Sequence, residues 1–211
     1  MIKSICIFPA RGGSKRLKNK NIKNFLGKPI ISYPIKAAKK SRLFSRIIVS
    51  TESKNIAAIA KKCGAEVPFL RVKNLADDFT VTRKVLVDVV KRLKLEHIKY
   101  LFCIYPTSAL IETNDLKKAF KVMKSNNYDI LRTVSNFNSN PLRALVIKKN
   151  NTIKYFWKKF ENYRTQDLPK FYYETGVFSI YNISSMLKNK KDKVGSFFLK
   201  IPNWRDKSSI T

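Results

Sequence analysis

A short basic segment near the amino terminus contains the residue types that could bind a phosphate group. The segment FPARGGSKRLKNKN (8–21) combines two glycines, a serine and five cations. Arginine binds phosphate oxygens through paired hydrogen bonds, and lysine supplies a compact positive charge. Gly12 and Gly13 would let backbone N–H groups approach an anion closely. These residues alone fit a phosphate-binding loop and a solvated basic loop equally well.

The spacing within this segment differs from that of two common phosphate-binding motifs. The pattern G-x-x-x-x-G-K-[ST] is absent, so the loop is not a Walker A loop. The pattern G-x-G-x-x-G is also absent, which removes support for a hydride-transfer cofactor. What remains is an apolar run, a proline, a turn of small residues and a series of spaced cations.

Apolar patterning predicts the elements that would position this loop. Strands alternate with helices over the first 130 residues or so, which favours a mostly parallel sheet with helices on both faces. The loop would then lie at the carboxyl end of the first strand, where such sheets bind ligands. Asp77 and Asp78 could cap a helix that begins near Thr80, and Thr113 could cap another. The predicted strands are 2–8, 46–51, 66–70, 99–105 and 128–134, and the predicted helices are 30–41, 55–64, 82–95 and 112–126.

The alternation stops after Ser135. Two short strand candidates, LRALVIK and TIKYFW, are joined by KNN and predict a hairpin. Strand character returns at 176–182 and 196–201. We predict a single domain over residues 1–211, with an arm inserted at about 136–170.

The composition fits a globular protein with an extreme positive charge. The chain has 211 residues, 44% of them hydrophobic, and a formal net charge of +30. Such a charge suggests a polyanionic partner, which could be nucleic acid, a membrane surface or a nucleotide. However, the cations are spread along the chain, and no helix-turn-helix, zinc-finger or RNP signature accompanies them. We therefore predict no nucleic-acid or membrane partner and attribute the charge to overall composition.

Cysteine and histidine usage favours a reducing compartment and argues against a hydrolase triad. Cys6, Cys63 and Cys103 have no metal-ligand spacing and are predicted to be free thiols. The apolar start Ile5–Phe8 is too short for a signal-peptide core, so we predict a cytoplasmic protein. The single histidine, His97, lies between a predicted helix and strand, where a structural or surface role is expected.

Several motifs in order resemble one family of nucleotidyltransferases. The segment PARGGSKRLKNKNIKNFLGKPI (9–30) resembles the first signature of the acylneuraminate cytidylyltransferases, which reads Ala-Arg-x-x-Ser-Lys, then Lys-Asn, then Gly-Lys-Pro. This family couples CTP to nine-carbon α-keto acid sugars. The similarity continues through VST (49–51), GAEVPFLRVKNLADDFT (64–80), YPTSAL (105–110) and RTQDLPKFYYETG (164–176).

Finer motifs resemble the pseudaminic acid branch of that family. Sialic acid enzymes carry Gln-Pro-Thr-Ser-Pro where this chain has Tyr105 in place of the glutamine and Ala109 in place of the second proline. The motifs ADDFT, PLRAL and RTQDLP look more like the pseudaminic acid cytidylyltransferases. The late motif usually reads His-Asp-Ala-Gly-Gln in that branch, whereas this chain has YETGV (173–177). The resemblance therefore implies pseudaminic acid, with N-acetylneuraminic or legionaminic acid as alternatives.

The resemblance also implies a fold and roles for individual residues. The expected fold is α/β, Rossmann-like and three-layered, with a mixed, mostly parallel sheet and a small arm that builds a homodimer. Arg11 and Lys20 would contact the phosphates and neutralise the departing pyrophosphate, and so are the catalytic candidates. The implied nucleotide-binding residues are Ala10, Arg11, Gly12, Gly13, Ser14, Lys15, Lys20, Asn21, Arg71, Asp77 and Thr80, and the implied sugar-binding residues are Tyr105, Arg143 and Gln166.

For two of the sugar-binding candidates, other roles stay open at this point. Arg143 could be a surface charge on a strand, and Tyr105 could belong to the core.

The last residues of the sequence are where the resemblance implies a metal site. Family members typically end with a strand and Arg-x-x-Asp-x-Asp, whose aspartates hold Mg²⁺. Here IPNWR (201–205) is followed directly by Asp206, and no second aspartate follows. We expect Mg²⁺ as cofactor with Asp206 as its ligand, since Mg²⁺ can use one carboxylate together with phosphates and water. The alternative is a catalytically impaired, nucleotide-binding relative that lacks this metal site.

Overall fold

The structure is a computed structural model that describes residues 4–15, 17–190 and 193–199. It divides into two compact units. The first contains the residues up to Thr133 together with Gly176–Phe197. Of the described residues, the second contains Val134–Thr175 together with Phe198 and Leu199.

Strands and helices alternate along most of the first unit. The longer strands are β1 (Ser4–Pro9), β4 (Phe44–Ser50), β5 (Tyr100–Ile104), β6 (Ile130–Asn136), β9 (Tyr172–Asn182) and β10 (Val194–Phe198). Two pairs of short strands are β2 (Asn24–Phe25) with β3 (Lys28–Pro29), and β7 (Leu145–Ile147) with β8 (Ile153–Tyr155). The helices are α1 (Ser32–Ser41), α2 (Lys54–Lys62), α3 (Thr82–Arg92), α4 (Thr113–Asn126) and α5 (Ile183–Leu187).

The central sheet has six strands in the order β10-β6-β9-β5-β1-β4. β1 runs parallel to both β4 and β5, whereas β5 and β9 are antiparallel. The sheet is therefore mixed, as predicted. Because β1, β4 and β5 are parallel, their carboxyl ends meet at one edge, and the loops that follow them lie close together there.

Helices cover both faces of the sheet. Ile5 and Ile7 of β1 share a buried cluster with Leu86 of α3. On the opposite face, Phe102 of β5 packs edge-on against Phe120 of α4. Alternate residues of a strand point to opposite faces, so each strand contributes to both cores. This arrangement confirms the predicted three-layer α/β fold.

Two details of the predicted elements are wrong. Residues 66–70 form no strand, because only Glu66 pairs with β4, through an isolated bridge to Ile48. Pro68 follows and has no N–H to donate to a ladder. At α4 the cap is Glu112 rather than Thr113, since Glu112 and Asp115 form a reciprocal capping box.

The second unit contains the predicted hairpin. β7 and β8 pair antiparallel, with Val146 opposite Lys154. The N–H of Lys148 donates to the carbonyl of Thr152 at 2.8 Å and closes the turn. The pairing confirms the hairpin that the sequence predicted between residues 142 and 157.

All three cysteines are free thiols, as predicted. Cys6 and Cys103 are buried in β1 and β5, whereas Cys63 is half-buried at the end of α2. Burial raises the pKa of the Cys103 thiol to about 12. His97 is exposed, as expected. Across residues 4–15, 17–190 and 193–199, no helix is both long enough and apolar enough to cross a membrane.

Candidate nucleotide site

A cleft in the first unit lies where the loops after β1 and β5 meet the segment that leads into α3. Its lining includes several of the residues predicted from the sequence, drawn from segments far apart in the chain. These are Arg11, Ser14, Lys20, Asn21, Arg71, Asp77, Thr80 and Tyr105. Topology explains part of this convergence, because the parallel strands β1 and β5 deliver their following loops to the same edge of the sheet. The N–H of Arg71 donates to the carbonyl of Thr51, just after β4, which brings the third segment to that edge.

Other members of the predicted nucleotide-binding set lie in the loop without lining the cleft. Ala10 is buried, and its N–H donates to the carbonyl of Ser50 at 2.9 Å, which fixes the start of the loop to β4. Gly13 is exposed, and a side chain there would meet nothing within 4 Å. The N–H of Gly12 donates to Oε1 of Glu52 at 2.6 Å. The Gly12 N–H therefore donates to a side chain of the protein, whereas the sequence had suggested that it would approach a phosphate.

Two cations of the loop are paired with Asp78. Arg11 Nη1 lies 2.6 Å from Asp78 Oδ1, and Lys15 Nζ lies 2.8 Å from Oδ2. Arg11 Nη1 also donates to the carbonyl of Asp77 at 2.7 Å. The hydrogen bonds from Lys15 and Arg11 lower the pKa of Asp78. A carboxylate thus lies against the side chains that were predicted to bind phosphate.

Asp77 stabilises the turn that leads into α3. Its Oδ1 accepts hydrogen bonds from the N–H groups of Thr80 and Phe79, at 2.5 Å and 2.8 Å. These hydrogen bonds lower the pKa of Asp77, and those with Thr80 contribute most. The helix itself begins at Thr82 and has no side-chain cap. The alternative in which Asp77 caps a helix starting near Thr80 is therefore wrong, because its acceptor serves the preceding turn.

Lys20 and Asn21 lie in a single 3-10 turn that borders the cleft. Asn19 precedes the turn with φ of 56°, a left-handed conformation that asparagine tolerates well. Asn21 is buried and donates from Nδ2 to the carbonyl of Arg11 at 2.8 Å. The amide of Asn21 therefore holds the main chain of Arg11 in place.

Arg71 is a buried cation beside the cleft. It is 5% exposed, and its Nη2 donates to Glu52 Oε2 at 3.1 Å. Burial lowers the pKa of Arg71, and the charge and hydrogen bond of Glu52 oppose that shift. Sequence reasoning missed Glu52. The available signal was an acidic residue directly after the end of β4.

Tyr105 follows β5 and is only partly buried, so it is not simply a core residue. Its hydroxyl lies 3.3 Å from the hydroxyl of Thr82, and its N–H donates to the carbonyl of Val177 at 3.0 Å. Thr82 and Thr107 also line the cleft and were not predicted from the sequence. Their hydroxyls add neutral hydrogen-bonding groups to a cleft otherwise marked by charge.

The two remaining sugar-binding candidates lie in the second unit. Arg143 donates from Nη1 to the carbonyls of Phe160, Glu161 and Tyr163, and from Nη2 to the hydroxyl of Tyr155 at 2.9 Å. These contacts give its guanidinium a structural role within the unit. Gln166 is exposed in a 3-10 turn. Their contact with a sugar stays a prediction.

The part of the chain that the structure describes contains no dense cluster of metal-ligating side chains. No group of three or more His, Cys, Asp or Glu side chains among them could hold a metal ion. The two carboxylates at the cleft, Asp77 and Asp78, already accept from backbone N–H groups and from cations. Asp206, the predicted ligand, lies outside the described residues. The chemistry of the cleft is therefore derived from its side chains, and no step is routed through a metal ion.

The family of the chain follows from its match to a family model. The model described as Cytidylyltransferase matches residues 5–198, which include the loop, the cleft and the hairpin. The chain belongs to this cytidylyltransferase family. The resemblance drawn from the sequence motifs is thereby confirmed, and the chain is a cytidylyltransferase.

Individual relatives narrow the comparison. The chain is 37% identical over 179 residues to a pseudaminic acid cytidylyltransferase of Campylobacter jejuni, which covers 84% of this chain and 77% of that protein. It is 44% identical over 102 residues to a CMP-N,N'-diacetyllegionaminic acid synthase of the same species, covering 48% of this chain and 43% of that protein.

A solved structure shares the fold. The structure of CMP:2-keto-3-deoxy-manno-octonic acid synthetase complexed with CTP superimposes with a TM-score of 0.70 and 14% identity. The superposition covers 98% of this chain and 96% of that one. At this identity the comparison shows the fold alone.

Proposed function

We propose that this cytidylyltransferase couples CTP to a nonulosonic acid, giving the CMP-sugar and pyrophosphate for surface glycan synthesis. The observation that carries the proposal is the cleft at the carboxyl edge of the sheet, which gathers Arg11, Lys20 and Arg71 from distant parts of the chain. The relative with 37% identity across most of the chain supports pseudaminic acid as the sugar. Legionaminic and N-acetylneuraminic acid are the alternatives.

The proposed reaction depends mainly on positioning of the two substrates and on stabilisation of negative charge. The anomeric hydroxyl of the sugar attacks the α-phosphorus of CTP, the bond to the bridging oxygen breaks, and pyrophosphate leaves with that oxygen. The hydroxyl proton passes to solvent or to a base. Arg11 and Lys20 would offset the negative charge of the triphosphate and of the leaving group. Arg71, buried beside them, is proposed to contact the cytosine, and Ser14, Asn21, Asp77 and Thr80 to border the nucleotide.

Pyrophosphate release tests this proposal. The protein is incubated with CTP, Mg²⁺ and each candidate sugar, and we expect release with pseudaminic acid. Release with another nonulosonic acid alone would reassign the sugar. If no nonulosonic acid supports release although calorimetry shows CTP binding, the proposed activity is wrong.

A variant of Lys20 tests the phosphate role. We expect Lys20→Ala to lower kcat/KM by roughly 10²-fold, the scale of losing one charge-stabilising donor. Lys23→Ala is the matched control, because Lys23 is an exposed lysine of the same segment that does not line the cleft. Full activity of Lys20→Ala would contradict the role.

We also propose a homodimer built by the second unit. Its hairpin carries large apolar side chains that are exposed in the single chain, among them Ile147 at 70%, Ile153 at 62% and Trp157 at 47%. Covering such side chains favours association of a second copy.

Sedimentation tests the dimer. We expect Ile153→Glu to shift the protein from dimer to monomer, because it would place a charge in the apolar contact. Lys148→Glu, an exposed change on the same hairpin, should leave the dimer intact. A wild-type protein that sediments as a monomer at micromolar concentration would contradict the proposal.

Mg²⁺ as cofactor, with Asp206 among its ligands, and a cytoplasmic location complete the proposal. The family resemblance supports the metal, and three free thiols support a reducing compartment. Loss of pyrophosphate release on chelation, restored by added Mg²⁺, is the expected result.

A further inference from the structure

We propose that Glu52 is a positioning residue of this site, whose carboxylate sets the phosphate loop and Arg71 relative to each other. The inference rests on the proposed function and concerns how the nucleotide is held. Oε1 of Glu52 accepts from the Gly12 N–H at 2.6 Å, and Oε2 accepts from Arg71 Nη2 at 3.1 Å. One planar group therefore joins the loop after β1 to a buried cation far along the chain.

Glu52 acts from behind the cleft. It does not line the cleft, whereas both Arg71 and Arg11, the neighbour of Gly12, do. From outside the cleft lining, the carboxylate would act on binding through the groups that it holds. Glu52 therefore supports the residues that would face the nucleotide.

The neighbours of Glu52 fix its own position. The carbonyl of Thr51 accepts from the N–H of Arg71 at 2.8 Å, so the main chains of the two segments are tied as well. Ser53 caps α2 by accepting from the N–H of Ile56 at 3.4 Å. The carboxylate thus projects from a short segment that is held on both sides.

The glycine at position 12 fits the same arrangement. A Cβ there would lie 3.1 Å from the Cβ of Ser53 and 3.3 Å from Oε1 of Glu52. The missing side chain lets the loop approach the carboxylate closely enough for a short hydrogen bond. We infer that the role of Gly12 is its contact with Glu52. The side chains of Arg11 and Lys20 are then the groups of this segment that contact a ligand in the cleft.

A charged carboxylate is needed at this position because of Arg71. The guanidinium is buried, and a buried cation without its counter-ion is strongly unfavourable. Its Nε is also buried and has no hydrogen-bond partner among the described residues, so the contact between Nη2 and Glu52 matters all the more. Glutamine at position 52 has only one oxygen. If that oxygen accepts from Gly12, the NH₂ group faces Arg71, and if it accepts from Arg71, the NH₂ group faces the N–H of Gly12.

Calorimetry with CTP tests the inference without requiring turnover. We expect Glu52→Gln to weaken CTP binding at least tenfold, and Glu52→Asp to lie between that variant and the wild type, since its carboxylate is kept but is shorter by one methylene. Glu66→Gln is the matched control, because Glu66 also pairs with an arginine, Arg46, at an exposed site outside the cleft. It should bind CTP like the wild type.

A double-variant cycle separates positioning from general stability. In an Arg71→Met background, Glu52→Gln should cost much less than tenfold, because no cation is left for the carboxylate to pair with. In steady state, the KM for CTP should rise while the KM for the sugar stays near its wild-type value.

Three results would overturn the inference. These are wild-type CTP affinity in Glu52→Gln, an undiminished effect in the Arg71→Met background, and, if Glu52→Gln does not fold, wild-type affinity in Glu52→Asp. Because CTP binding is measured alone, a protein that turns over no sugar would defeat the proposed function and still reveal whether Glu52 positions the nucleotide site.

Discussion

Asp78 places a carboxylate against two cations that a nucleotide would use. Its oxygens lie 2.6 Å from Arg11 Nη1 and 2.8 Å from Lys15 Nζ. If Arg11 and Lys15 bind phosphate as proposed, a phosphate oxygen would have to replace these contacts, and Asp78 would compete with phosphorylated ligands of the cleft. The same competition would favour release of pyrophosphate after the reaction.

An Asp78→Asn variant should therefore bind inorganic pyrophosphate more tightly than the wild type. We expect its inhibition constant to fall about two- to fivefold, the scale of an exposed ion pair. Because its pKa is lowered, Asp78 is ionised throughout the neutral range, and the ratio of the two constants should stay flat from about pH 6 to 8. The competition would be lost only as the pH falls through that lowered pKa.

The control for this variant is Glu66→Gln, which removes the carboxylate of another arginine pair in the first unit. It should leave the inhibition constant unchanged. Equal pyrophosphate affinity in Asp78→Asn and wild type would show that the ion pairs do not oppose ligand binding.

At the scale of elements, β5 organises the aromatic core. Phe102 is fully buried and has ring contacts with Phe44, Phe120 and Phe178, at centroid distances of 4.9, 5.5 and 6.3 Å. These rings come from β4, α4 and β9. One side chain therefore links two other strands of the sheet with the helix that covers them.

Replacing Phe102 should destabilise the protein strongly. We expect Phe102→Ala to lower the free energy of unfolding by about 3–5 kcal/mol, because it removes a buried ring and leaves a cavity. Phe102→Leu keeps most of the volume and should cost clearly less. Urea unfolding followed by near-ultraviolet circular dichroism measures both, and a loss below about 1 kcal/mol for the alanine variant would contradict this role.

How far the sequence predicts such elements depends on what forms them. Continuous apolar runs such as those of β1 and β5 predicted buried strands, since few other structures bury such short runs. The segment after Glu66 also looked like a strand, but whether it pairs depends on a neighbour that local pattern does not reveal. Glu52 was missed for a similar reason. Its two partners, Gly12 and Arg71, become neighbours only when the sheet forms.

At the scale of the whole molecule, the most prominent property is the excess of positive charge. The sequence has 44 Lys and Arg residues against 14 Asp and Glu residues. A net charge of +30 creates a field that attracts anions from a distance and speeds their encounter with the cleft. Salt screens this field over about 10 Å at 0.1 M and about 3 Å at 1 M.

The rate constant kcat/KM for CTP should therefore fall with ionic strength. We expect a loss of roughly tenfold between about 0.05 and 0.5 M NaCl, with kcat changing less, because steering affects encounter and not the bound complex. Sucrose at matched osmolality serves as the control and should have little effect. A kcat/KM for CTP that does not depend on salt would mean that the charge plays no part in substrate capture.

The three thiols differ in burial, and this difference allows one of them to be labelled selectively. Cys63 follows the last residue of α2, about 13 Å along the helix axis from its start, and does not line the cleft. Cys6 and Cys103 are at most 1% exposed. A maleimide dye or a surface tether would thus react at one defined position of the unaltered chain, and the nucleotide cleft would remain accessible for optical or single-molecule measurements.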